Sequence, residues 1–186
     1  MTKSILDRIS SIAVVFTMAM FFSCSNDVKE VKDFLADKNL PIGEAVNIVH
    51  KHTDSGRINV KMYAPVMFDF SNRVAHPYSE FPKGIKLTSF EKNGDSTTIE
   101  GDYALSYVRE QVSEIKNNVV IINHKQKHKL FTEKIYWDQK THFFFTENKF
   151  TFYTQSDTIY GEGFEATEDL KKWWVKNQTG VIQINE

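Results

Sequence analysis

Between Gly101 and Ile184 the chain writes one unit three times at an offset of 31 residues. Asp102-Tyr103-Ala104 falls on Glu133-Lys134-Ile135 and on Phe164-Glu165-Ala166. The same offset carries Tyr107 onto Asp138 and Asp169, Arg109 onto Lys140 and Lys171, and Val112 onto Phe143 and Trp174. It then carries Asn118-Val119-Val120 onto Lys149-Phe150-Thr151 and Gly180-Val181-Ile182. Identity is low, but residue character and turn placement recur. A fixed period means stacked supersecondary units, each too small to bury its own apolar face.

The halves of each unit read as strands. Val119 and Ile121, then Phe150 and Phe152, alternate with their neighbours, and β-branched and aromatic residues dominate. Polar turns such as Trp137 to His142 separate the halves. The expected class is therefore all-β: stacked antiparallel hairpins forming one elongated β-jelly roll. Upstream, Ala45 to Lys51 reads as a first strand with Val46 and Ile48 on one face, and Asp54-Ser55-Gly56 as a turn. Ile58, Val60, Met62, Ala64, Val66, Phe68 and Phe70 then occupy every second position, a strand with one greasy face. Pro65 inside it predicts a bulge, a break or an edge. Residues Asn72 to Pro82 read as a loop, Ile85 to Phe90 as a strand, and Asn93-Gly94-Asp95 as a hairpin turn. Glu168 to Lys176 fits helical spacing through Leu170, Trp173 and Trp174, while the repeat register asks for a turn and a strand.

The chain has 186 residues and a formal charge of -1, which suits one domain and argues against a nucleic-acid partner. Its 15 Phe supply a core, filled or left open to a greasy ligand. Lys3 and Arg8 precede an apolar run from Ile12 to Phe22 that ends at Ser23-Cys24. Such a helix would reach only about 17 Å, short of the roughly 30 Å of a bilayer core. The run fits a signal peptide, and Cys24 stands where a bacterial lipobox places its lipidated cysteine. An unprocessed signal anchor is the other reading. The expected organisation is a lipoprotein-type signal over 1–23, a charged tether over 24–44 and the roll over 45–186.

Catalytic and metal motifs are weak. Gly161 to Ala166 matches a dinucleotide fingerprint in letters, but no βαβ unit follows, so the glycines read as a strand's bend or close approach. His124 and His128 are interleaved with Lys125, Lys127 and Lys129, a poor cation site and a basic hairpin tip that is solvated or meets anions. Glu110 and Glu114 show no convergence on a substrate. No cofactor is implied and no enzyme is expected. Phe143-Phe144-Phe145 and Trp173-Trp174 put apolar groups on both strand faces, as in a sandwich or beside a lipid slot. Alternation nominates Val60, Met62, Phe68, Leu105, Val119, Ile121, Ile135, Phe143, Phe145, Phe150, Phe152 and Phe164 as interior, ligand-facing residues.

From Pro41 to Ile184 the sequence resembles the LptC family of lipopolysaccharide export. The resemblance rests on Asp54-Ser55-Gly56 ahead of Tyr63-Ala64-Pro65, then Phe81-Pro82-Lys83-Gly84-Ile85 and Gly101-Asp102-Tyr103-Ala104. It continues through Asn118 to Ile121, Leu130 to Glu133, Tyr136-Trp137-Asp138, Ile159 to Ala166 and Thr179-Gly180. It implies a V-shaped β-jelly roll on the periplasmic side of the inner membrane. Such a roll receives lipopolysaccharide from the ABC transporter LptB/LptF/LptG and passes it to an LptA-like roll. The partner edge for the LptA-like roll would be a terminal strand at Val181, Ile182, Gln183 and Ile184. Many members begin with a transmembrane helix; this chain begins with a lipoprotein-type signal, so its membrane link is expected through a lipid on Cys24. The rival expectation is an envelope lipoprotein with a fully packed core that serves only protein–protein contact.

Overall fold

The computed structural model describes residues 38–179. The signal segment, Cys24, most of the tether and the edge residues Val181 to Ile184 lie outside the described residues. Eleven strands form one antiparallel sheet: β1 (Gly43–Asp54), β2 (Arg57–Phe70), β3 (Tyr78–Phe81), β4 (Ile85–Phe90), β5 (Ser96–Gly101) and β6 (Tyr103–Tyr107). The rest are β7 (Val112–Asn123), β8 (His128–Asp138), β9 (Phe143–Tyr153), β10 (Thr158–Thr167) and β11 (Trp173–Thr179). This is an all-β, elongated jelly roll. Residues 168–172 make a turn and Trp173 begins a strand, as the repeat register asks.

The repeat becomes the hairpins β6–β7, β8–β9 and β10–β11. Its equivalent residues Ala104, Ile135 and Ala166 are all buried, and Val112, Phe143 and Trp174 are not. Gln111 and His142, one period apart, both hold positive φ, at 56° and 60°. The hairpin geometry thus repeats although the residues differ.

Two long strands organise the sheet. β2 pairs with β4 through Val60 to Tyr63 and with β3 from Phe68 to Phe70. β7 pairs with β6 through Val112 to Lys116 and with β5 from Val120 to Asn123. Each therefore changes partner midway, and β2-β4-β5-β7-β6-β3 closes a ring. Pro65 sits where β2 passes from β4 to β3, a position at which a missing N–H breaks no ladder bond between those partners. β3 lies within the stretch expected to be loop. Four residues between Pro77 and Pro82 are too short for periodicity to reveal, and they form a strand because β2 and β6 supply partners on both sides.

One row of facing residues runs inside the roll: Met62, Leu87, Ile99, Ile121, Leu130, Phe152 and Ile159. Another joins Phe81, Ala104, Ile115 and Ile135. All but Met62 and Ile159 are buried, and those two pack against the same cluster. Each large apolar side chain so buried contributes about 1.5–3 kcal/mol. In the β8–β11 half the interior is aromatic and filled: Phe164 lies 5.0 Å from both Phe150 and Phe152, and Phe152 lies 5.3 Å from Trp173. Such ring pairs add about 0.5–1.5 kcal/mol each beyond area burial.

Four residues expected to face inward do not. Phe68, Leu105 and Phe145 lie on a row with Glu80, Glu114, Tyr136, Glu165 and Trp174, next to the inward row of Phe81 and Ile135 and so on the opposite face. Phe143, two residues from Phe145, shares that outer face against Trp174. In β9 the buried positions are Phe144, Thr146, Phe150 and Phe152, so parity runs unbroken from Phe152 and turns Phe143 and Phe145 out. In β2 the inward set Val60, Met62, Ala64 passes to Met67 across Pro65, which turns Phe68 out. Val46 also differs from the expectation: it is 62% exposed while Ile48 packs on the core.

Candidate functional site

Inside the six-strand ring lies a cavity of about 310 Å³. Val60 and Met62 of β2, Leu87 of β4, Ile99 of β5, Phe81 of β3 and Ile115 of β7 form its wall. Those six come from strands far apart in sequence, brought together because β2 divides its length between β4 and β3, and β7 between β5 and β6. His50 and His52 of β1 edge one part of the cavity, and Ser106, Ser113, Trp137 and Gln139 another. Gln139 Nε2 donates to Ser113 Oγ at 3.0 Å, and Ser113 Oγ donates to Ser106 Oγ at 3.2 Å. The hydroxyls therefore satisfy one another at one corner of an otherwise apolar wall.

This wall offers dispersion contact and few hydrogen bonds. It suits an apolar chain better than a sugar or a nucleotide. Ligand pockets run from about 300 to 1,000 Å³, so this cavity is near the small end. Of the sequence-nominated interior residues, Val60 and Met62 line it. Leu105, whose side chain belongs to the outer row, touches it from β6. Val119, Ile121, Ile135, Phe150, Phe152 and Phe164 lie inside the roll but in the filled core, none more than 4% exposed. Leu87, Ile99, Phe81 and Ile115 escaped nomination. Alternation within Ile85 to Phe90 would have found Leu87; Phe81 stood in a stretch read as loop.

The far end of the roll is closed by the turn over residues 168–172. Leu170 is fully buried with φ at 51°. Its carbonyl accepts from His128 Nδ1 at 3.0 Å, and the Asp169 carbonyl accepts from Asn123 Nδ2. Lys171 Nζ donates to both carboxylate oxygens of Glu91, at 2.7 and 2.8 Å, and lies 3.1 Å from Asp169. The Glu91 carboxylate, with Asp169 beside it, holds the Lys171 ammonium above its usual range. Burial works against the Asp169 carboxylate, but hydrogen bonds from Thr167 and Lys171 outweigh it and hold its pKa below the usual range. A left-handed leucine held by this many contacts is a fixed closure.

The groups considered for chemistry are engaged separately. Glu110 meets His76 at 2.9 Å, and that hydrogen bond lowers its pKa. Glu114 meets Lys116 at 3.0 Å and accepts from Tyr136. Burial, followed by a bond to Glu80, pushes the Tyr103 phenol well up. His124 contacts Thr98 Oγ1 at 2.9 Å through Nε2, on the face opposite His128. The Gly161 to Ala166 stretch is antiparallel strand β10, with a bulge at Gly163, whose φ is 81°.

A family described as lipopolysaccharide-assembly, LptC-related, matches residues 13–182. No curated protein matches the chain.

Proposed function

The chain belongs to the LptC family, whose members are inner-membrane-associated periplasmic components of lipopolysaccharide transport, and on that premise we propose that it is a membrane-tethered adaptor. The adaptor accepts lipopolysaccharide from an inner-membrane ABC transporter of the LptB/LptF/LptG type and hands it to an LptA-like roll. The family is one of transport components, and the chemistry asked of this chain is shelter rather than bond-making.

The observation that carries the reading is the apolar cavity held open inside the ring by Val60, Met62, Leu87 and Ile99. An acyl chain of about a dozen carbons exposed to water costs on the order of 9 kcal/mol, at about 0.8 kcal/mol per methylene. A wall of aliphatic side chains removes that cost while polar groups of the lipid stay in water. Because the cavity is near the small end for a ligand site, it takes part of a multi-chain lipid at a time, and passage requires the ring to widen. An interior filled along its whole length would have favoured the purely adhesive lipoprotein instead.

The described sheet ends in two edge strands, β1 and β11, and the transfer reading uses them as hydrogen-bonding edges, with Val181 to Ile184 proposed to extend the β11 side. Cys24 is the proposed lipid attachment, since a thioether-linked acylated cysteine would hold the roll at a membrane without a spanning helix. Detergent extraction of membranes with a tagged full chain tests the proposal. Co-purification of the ABC transporter together with lipopolysaccharide is expected, and recovery of the chain with neither would refute it.

A further inference from the structure

The basic turn between β7 and β8 is divided by the fold in a way that its sequence does not disclose. His128 turns inward, its ring 5.5 Å from Phe152 and its Nδ1 on the Leu170 carbonyl. Lys125 pairs with Asp95 at 3.0 Å. That leaves Lys127 and Lys129, neither of which forms an ion pair among the described residues. Both face an open groove of about 740 Å³ on the outside of the sheet, together with His124, Phe131, Tyr153 and Gln155.

The floor of this groove is set by register. Lys129 stands opposite Tyr153 and beside Ile122; Phe131 stands opposite Thr151 and beside Val120. The Phe131 and Tyr153 rings meet edge to face at 5.6 Å, and each remains about two-fifths exposed, at 39% and 40%. Gln155 Nε2 donates to the Gln126 carbonyl at 3.2 Å, tying the β9–β10 turn to the β7–β8 turn so that both form one rim. The acids nearby do not fill the cationic end. Asp157 accepts from Ser156 Oγ at the turn, and Glu133 lies beyond Phe131, farther along β8.

The geometry points to a binding site for a phosphorylated sugar in this outer groove. Two free ammonium groups match a phosphate, exposed ring faces match the apolar face of a pyranose, and the Gln155 amide borders the groove with a hydrogen-bonding group. Glu133 repels an anion from the other end and so fixes which way the sugar lies. A flat bilayer is the poorer occupant, because the rings form the floor of a recess between two turns and do not stand out from them. The site is on the opposite face of the sheet from the cavity, and it does not depend on the lipid reading.

Titration of the isotope-labelled full chain with glucose 1-phosphate, followed by amide chemical shifts, tests it. Saturable shifts at Lys127, Lys129, Phe131 and Tyr153 are expected, with weaker binding of inorganic phosphate and of glucose. The double variant K127Q/K129Q and, separately, Y153A should each weaken binding by about tenfold or more, with unchanged melting for the lysine pair. F145A, on a distant part of the outer surface, should bind as the wild type does. Equal affinity for inorganic phosphate, shifts spread over all surface lysines, or groove-dependent binding only to phosphatidylglycerol vesicles would overturn the proposal.

Discussion

Replacing Phe144 and Phe145 one at a time by alanine separates the two faces of β9. Phe144 is 3% exposed and packs on Trp137 at 6.0 Å, whereas Phe145 is 38% exposed and stacks on Tyr136 at 5.2 Å. Truncating a buried phenylalanine removes its transfer free energy and leaves a cavity, about 3–5 kcal/mol together. Phe145→Ala forfeits a surface ring pair, about 0.5–1.5 kcal/mol. The expected gap is therefore about 2–4 kcal/mol, which for a domain of this size is roughly 5–15 °C in melting temperature. Urea unfolding followed by far-UV circular dichroism gives the free energies directly, provided that the slope with denaturant stays the same in both variants. Equal losses, or a larger loss at Phe145, would refute the assigned parity and with it the location of the roll's interior.

Gly163→Ala places a methyl 2.9 Å from the Lys176 side chain at a φ of 81°. A loss of about 1–2 kcal/mol in unfolding free energy is expected from the left-handed backbone alone. For the closing turn the sign follows from the shifts: Asp169 has a lowered pKa, so its contribution is present above the ordinary carboxylate value and lost as pH falls below about 4. Lys171 has a raised pKa, so its contribution holds below the ordinary ammonium value and is lost above about 10.4. Hydrogen-exchange protection factors at residues 168–172, which divide out the intrinsic rise of amide exchange with pH, should therefore be flat between those limits and lower outside them. A fall in protection near neutral pH would contradict the ion-pair account.

Alternation was enough to find the strands and most inward residues, because a half-buried strand writes its burial at period two. It fixed Val60, Met62, Ile121 and Phe152 on the interior. It went wrong where a strand's own parity had to be followed across an apolar triplet, at Phe143 to Phe145, or across a partner change, at Pro65 and Phe68. β3 and the ring it completes were hidden for a different reason. Pairing of β2 with both β3 and β4 is a long-range event, and four residues between two prolines carry too little pattern to announce it. The cavity inherits that difficulty, since Phe81 and Ile115 reach it only through the β3–β6–β7 branch.

The most direct test of a lipid-sheltering interior is site-specific photo-crosslinking in cells. A photoreactive residue at Met62, on the cavity wall, is expected to capture lipopolysaccharide, while the same residue at Phe145, on the outer face, captures none. Capture at Phe145 without capture at Met62 would contradict the account.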